Sequence, residues 1–464
     1  MLAPRTLPWP LIALFTAGYL APYLLPTTVG RLDSGLALTA TQAGAVGSAL
    51  LLASASAGFL LAGRVDRLGA RALARAGLAL AALGYGAAAL TTSVPAVVAG
   101  AVLGGFGSGT VTAVAASGIA AHRDPHRAST TGLLGVSALA GALYLTVPHL
   151  GPGHGLPLAA IALTALAVWP LTGRLPARAA AVAVRRERAR LPHLRSGLLL
   201  AAAMPCWSLA QNALWGVSGR IGLTQAHLTE AAVGVVFAVA LGAGLLGVLC
   251  AGALGARLGR ALPIGVGTTL IAGCIALSAS ATTLPAFAAG EIAWNALYPV
   301  VLSYVIGLAA SLDPRGRWAV LVGSASSLGT AAGPLTGSLL SARAGFDGMG
   351  LILAAGLLVI AVPMTAVALR TRPRPAPAEI PAAEIPVADI PVVEIPVVEL
   401  PVAGTPSVGT PSVGTPSAGT PSAGLPAVDI PVIEFPLESP AGPAERAAYG
   451  AAGPREAVAA PGAV

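Results

Sequence analysis

The sequence contains no lysine, only three cysteines, and charged residues at just 9% of its 464 positions, where a soluble domain carries about a quarter. With mean hydropathy at +0.81, so little charge excludes water as the solvent for most of this chain. The missing lysine fits a GC-rich coding bias and carries no mechanism. Cys206, Cys250 and Cys274 are odd in number, far apart and each inside an apolar run, which excludes a disulfide framework. The six histidines, His122, His126, His149, His154, His193 and His227, fall between or at the ends of apolar runs without metal-ligand spacing, so neither a metal nor any other cofactor is expected. There is no G-x-x-x-x-G-K-[ST] loop, which excludes ATP drive within this chain. Nor are there paired acids, or a nucleophile beside a base, as an enzyme would need.

The charge that is present is unevenly placed. Residues 1–374 hold 24 arginines against 8 acids, and residues 375–464 hold 2 arginines against 10 acids, so the two parts net +16 and −8. The arginines lie in short segments between apolar runs and not along one soluble face, so they read as topology signals; nucleic acid is not an expected partner.

A helix needs roughly twenty apolar residues to cross the hydrocarbon of a bilayer. Twelve runs meet this length: 8–28, 41–62, 73–91, 94–120, 129–149, 156–173, 196–217, 231–252, 262–281, 284–308, 318–340 and 349–369. The first follows Arg5 and superficially resembles a signal peptide, but its length and the spans behind it predict that it stays attached as the first helix. If the amino terminus is cytoplasmic, the inside segments hold 21 arginines and the outside segments only Arg31, Arg220 and Arg343. That asymmetry places both termini in the cytoplasm of a bacterial-type inner-membrane protein. The chain divides into a six-helix half over 1–174, a basic linker over 175–195, a second half over 196–370 and a tail over 371–464. The linker is read as fixing topology along anionic headgroups.

After the second run stands AGRVDRLGAR, residues 62–71, and after the eighth GALGARLGRA, residues 252–261. Asp66 aligns with Ala256, Arg67 with Arg257 and Gly69 with Gly259, an offset of 190 residues that a duplicated six-helix unit predicts. With these motifs the chain resembles the major facilitator superfamily of secondary transporters, whose second loop carries G-x-x-x-D-R-x-G-x-R. Asp66, Arg67, Gly69 and Arg71 match, with Ala62 and Gly63 where the leading glycine belongs. The resemblance covers residues 1 to about 370. It implies that Asp66 and its neighbours, with Arg257 and Gly259, take part in conformational gating. A proton-antiporter subset ends its fifth helix in G-x-x-x-G-P-x-x-G-G; Gly132 and Gly141 are kept, but Leu145 and Thr146 stand in place of Gly-Pro. That spacing recurs in the eleventh run as Gly329, Gly333, Pro334 and Gly337, which suits close helix packing and a bend. Ala101 occupies the fourth-helix position where many relatives have arginine.

The resemblance implies a central cavity lined by helices 1, 4, 7 and 10, and three of these concentrate aromatic and polar residues. Helix 1 carries Thr16, Tyr19, Tyr23 and Thr27; helix 7 carries Trp207, Gln211, Asn212 and Trp215; helix 10 carries Glu291, Trp294, Asn295 and Tyr298, each set at helical spacing. Glu291 is the one acid placed well inside a run, where an unpaired charge costs roughly 2.5–3.5 kcal/mol on insertion scales. It reads as a group that alternately binds a proton and a polar or cationic solute; the bland alternative is a hydrogen-bonded glutamate joining helices. With no arginine in mid-span, a dedicated phosphate or dicarboxylate carrier is not expected.

The expectation is an all-α, twelve-helix secondary transporter working by alternating access, with proton-coupled efflux of a small neutral or cationic organic compound. Proton-coupled import is the first alternative, and a non-transporting sensor or scaffold using the tail is the second. The expected partners are the bilayer, the solute and protons, around a monomer. The tail repeats acid, Ile or Leu, and Pro at five-residue intervals and then GTPSV or GTPSA. Proline at that period forbids a regular helix or central strand, so a disordered extension is expected.

Overall fold

The computed structural model describes residues 7–36, 38–176, 191–254, 258–313 and 315–371. The described chain is all-helical. Its helices are α1 (Trp9–Tyr23), α2 (Leu25–Gly35), α3 (Ala40–Leu61), α4 (Val65–Leu68), α5 (Ala70–Leu90), α6 (Val94–Ala120), α7 (Pro125–Thr146), α8 (Gly155–Val168), α9 (Leu194–Arg220), α10 (Glu230–Leu254), α11 (Ala261–Ala279), α12 (Leu284–Ser311) and α13 (Arg317–Arg370). Residues 177–190 of the basic linker, Arg257 of the second loop motif and the tail from residue 372 lie outside the described residues.

Local chemistry sets the helix ends. Thr39 caps α3 through a reciprocal capping box, its hydroxyl accepting from Gln42 N–H while the Gln42 side chain accepts from Thr39 N–H. Asp124 caps α7 by accepting from Arg127 N–H, with Pro125 at the first helical position, where no N–H is needed.

Among the described residues ten helices are long and apolar enough to cross a bilayer, and the α1/α2 pair, bent by 46°, makes an eleventh. The bend falls at Leu24, between Pro22 and Pro26, which interrupt the hydrogen-bond ladder. The 54-residue α13 is itself two spans, because Gly345 breaks it with φ 72° and ψ 173°, a conformation essentially restricted to glycine. Twelve spans result. Their ends differ from the sequence-based boundaries mainly at α1/α2, which continues to Gly35, because Arg31 and Asp33 are held by partners within the protein (see below).

The packing repeats between the halves. α3 packs on α6 as α10 does on α12; α5 packs on α6 and α8 as α11 does on α12 and the second part of α13. α3 against α13, α7 against α10 and α2 against α9 join one half to the other. The repeated loop motif has a structural counterpart: Gly69 and Gly259, 190 residues apart, both have positive φ, at 90° and 64°. Both sit where a chain leaving one span must turn sharply into the next, a conformation that costs glycine little.

Candidate functional site

A cavity of about 320 Å³ lies between the halves. Its walls come from α1, α3, α6, α7, α9, α10, α12 and the first part of α13. The lining positions run from mid-helix toward the ends that carry the arginine-rich loops: Leu51 to Gly58 on α3, Leu241 to Val248 on α10, Trp294 to Leu302 on α12 and Gly323 to Thr330 on α13.

Six of the nine sequence-derived binding candidates face this space: Tyr19, Tyr23, Asn212, Trp294, Asn295 and Tyr298. Trp215, from the same helix-7 stripe, lines it too. The other three, Trp207, Gln211 and Glu291, are fully buried behind the wall. They support the wall residues from the rear. Gln211 Oε1 accepts from Trp294 Nε1 at 3.0 Å, and the Trp207 ring stacks on Tyr298 with centroids 5.3 Å apart and an interplanar angle of 17°. Trp215 is fixed by donating from Nε1 to Pro22 O at 3.1 Å, a bond between α9 and the bent end of α1. Stacked and tilted aromatic pairs of this kind contribute about 0.5–1.5 kcal/mol beyond their area burial.

Glu291 faces away from the cavity. Its Oε1 accepts from Ser278 Oγ of α11 at 2.5 Å and is 2.7 Å from Ser218 Oγ of α9, whose hydroxyl also lies 3.0 Å from Leu214 O. Among the described residues the buried Oε2 has no hydrogen-bond partner and no ion pair reaches this carboxyl. The main-chain carbonyl of Glu291 accepts from Asn295 Nδ2 at 2.9 Å, so the buried acid and the cavity wall share one turn of α12.

At the end of the molecule away from the arginine-rich loops, two ion pairs cross between the halves. Arg31 of α2 contacts Glu230 of α10 at 2.7 Å, and Arg220 of α9 contacts Asp33 of α2 at 3.1 Å. Each half contributes one cation and one anion. Arg31 is only 3% exposed, and its Nη1 and Nη2 also donate to the carbonyls of Val147, Gly151 and Gly153, while its buried Nε has no partner among the described residues. Small residues close the same end: a Cβ added to Gly44 would lie 2.3 Å from Ser338 Oγ across the α3/α13 contact, and one on Gly234 would lie 2.2 Å from Tyr144 O across α10/α7. In the sequence, Arg31 and Arg220 count only as rare outside arginines, since nothing local says which acid each will meet.

The Asp66–Arg71 motif lies at the opposite end. Asp66 and Arg67 are exposed on α4, with no ion pair from Asp66 among the described residues. Arg71 donates from Nε and Nη2 to Leu175 O at 2.9 and 2.6 Å, holding the start of the linker against its own half. Gly329, Gly333 and Gly337 lie where α13 meets α9; Cβ atoms there would come within 2.0 Å of Pro205 O, 2.6 Å of Asn212 Cβ and 2.2 Å of Ala213 O. Pro334 of the same stripe packs on Gly216.

No family model and no curated sequence matches this chain. Solved structures do. The nucleoside transporter NupG aligns with TM-score 0.63 and 16% identity over 77% of this chain and 99% of that one. The human organic anion transporter MFSD10 (TETRAN) aligns with TM-score 0.57 and 17% identity over 77% and 98%. The POT family transporter PepTSo aligns with TM-score 0.62 and 13% identity over 79% and 98%. These likenesses define a class by fold: a twelve-helix membrane protein with the architecture of the major facilitator superfamily.

Proposed function

We propose that this protein is a secondary active transporter that works by alternating access and couples the efflux of a small neutral or cationic organic compound to proton entry. The observation that carries this reading is a polar and aromatic cavity between two similar halves, which crossed ion pairs among the described residues pin together at the end away from the arginine-rich loops. Exchanging the pinned end for the open one presents the cavity to the other side of the membrane. On the arginine asymmetry, the open end faces the cytoplasm.

Glu291 is the candidate proton site. A buried carboxyl without a counter-cation is stabilised by taking up a proton, and its unpartnered Oε2 is free to hold one. The Ser218 and Ser278 hydroxyls beside Oε1 also support the ionised form, so both states have a physical basis. Gaining or losing that charge acts on α9, where Ser218 lies two residues before Arg220 of the crossed ion pair. It acts equally on α12, where Asn295 lies one turn along and faces the cavity. Asp66, Arg67, Gly69 and Arg71, with Arg257 and Gly259, are assigned to latching the opposite end when it closes.

The test is flux in proteoliposomes under an imposed pH gradient, with a panel of neutral and cationic organic compounds, comparing wild type with Glu291→Gln. The reading expects gradient-driven flux in wild type and flux without gradient dependence in the variant. Flux absent across the panel contradicts transport, and unchanged coupling in Glu291→Gln removes Glu291 from the proton step.

A further inference from the structure

Among the described residues that line the cavity, none carries a formal charge. Its amides are oriented by their surroundings: Asn212 Nδ2 donates to Ser208 O at 2.9 Å and is 3.3 Å from Thr330 Oγ1, and Asn295 Nδ2 donates to Glu291 O. A main-chain carbonyl can only accept, so the nitrogen of each amide must face its own helix, and each Oδ1 is left without a hydrogen-bond partner among the described residues. The indole N–H groups of Trp294 and Trp215 are already taken by Gln211 and Pro22. The Ser327 hydroxyl donates to Gly323 O, which leaves its lone pairs to the cavity. The wall therefore offers aromatic faces, two amide oxygens without partners, and the hydroxyls of Tyr19, Tyr23, Tyr298, Ser54, Thr112 and Ser137, which accept as well as donate.

Aromatic faces and unpartnered amide oxygens attract both neutral N–H groups and organic cations, and the cost of desolvation separates them. Removing a full charge from water without an opposite charge costs more than cation–π contact returns. Glu291, the acid that shares a turn of α12 with Asn295 of the wall, is fully buried and turned toward Ser218 and Ser278, so it does not balance a cation there.

We infer that the cavity selects uncharged, flat-ring compounds that donate N–H or O–H groups to the Asn212 and Asn295 amide oxygens. The inference rests on the transport reading for its biological meaning but concerns binding, which is measured separately. The experiment is calorimetric titration of the purified full-length protein in nanodiscs with matched sets built on indole, benzimidazolone and uracil. Each ring is supplied as the neutral N–H form, the N-methylated form and an aminoethyl cation.

The expected result is that the neutral N–H forms bind roughly three- to tenfold more tightly than their N-methylated partners, the value of one neutral hydrogen bond. They should also bind more tightly than the cations. Asn295→Leu and Asn212→Leu should each reduce the N–H over N-methyl preference. The wild-type ratio stands as a test even if a variant fails to fold. Tightest binding by the cations, equal binding of N–H and N-methyl forms, or no binding by any neutral form overturns the inference. Flux of the same compounds separates the two readings: binding without flux contradicts transport alone, and flux confined to cations contradicts the selectivity alone.

Discussion

Gln211 shows how a buried residue can govern a site it does not touch. It holds Trp294 in the cavity wall by accepting its indole N–H. Gln211→Leu should strand that buried donor and lower stability by about 1–3 kcal/mol, read as a lower unfolding midpoint in micelles. Solute affinity should fall with it. A second residue-scale prediction concerns Asp313, in the turn between α12 and α13. A hydrogen bond from Arg317 at 2.5 Å holds its carboxyl below the usual carboxylate range, against the opposing effect of burial. Because the folded-state value is depressed, the stabilisation is present above the unfolded value near 3.9 and is lost as pH falls through the folded value. Asp313→Asn should therefore destabilise at neutral pH by about 1 kcal/mol, with the difference from wild type vanishing in strong acid. Residue identities at the site were partly legible in the sequence. The spacing of Trp207, Gln211 and Trp215 predicts one stripe, yet each step of four residues turns about 40° around a helix. The first two therefore end up behind the wall while Trp215 lines the cavity. Glu291 was readable as an exceptional residue, but the hydroxyls that turn it away from the cavity come from α9 and α11, which no local pattern connects to it.

At the scale of elements, length and hydropathy were enough to place twelve spans, because a bilayer demands long apolar helices that satisfy their own backbone. Breaks within the spans were less legible, since they depend on backbone geometry. The α13 break rests on Gly345, whose conformation a Cβ opposes; Gly345→Ala should cost about 1–3 kcal/mol, visible as a lower thermal midpoint. Close approach sets a second constraint. A Cβ at Gly109 would lie 2.0 Å from Ser54 O, so Gly109→Val should force α6 away from α3, widen the cavity and lower both stability and affinity. The glycine-rich character of α6 was visible in the sequence, but which carbonyl each glycine meets was not.

For the whole molecule, the internal repeat was legible because its two copies occupy the same place in each half, and the paired positive φ angles of Gly69 and Gly259 give it a backbone counterpart. The state of the molecule was not legible. The contacts that hold one end shut join residues far apart in sequence, Arg31 with Glu230 and Arg220 with Asp33, and ion pairing alone does not announce its partner. The account's central claim is that the cavity alternates between the two sides of the membrane, with these crossed pairs holding one end closed. It is tested most directly by placing a single cysteine at Ser327, in a background with Cys206, Cys250 and Cys274 replaced by serine. A membrane-impermeant thiol reagent is then applied from each side in oriented vesicles. The account predicts labelling from the side of the arginine-rich loops in the otherwise native protein. When Arg31, Asp33, Arg220 and Glu230 are neutralised together, it predicts labelling from the opposite side as well. Labelling from the arginine-rich side alone, unchanged by neutralising all four charges, would contradict it.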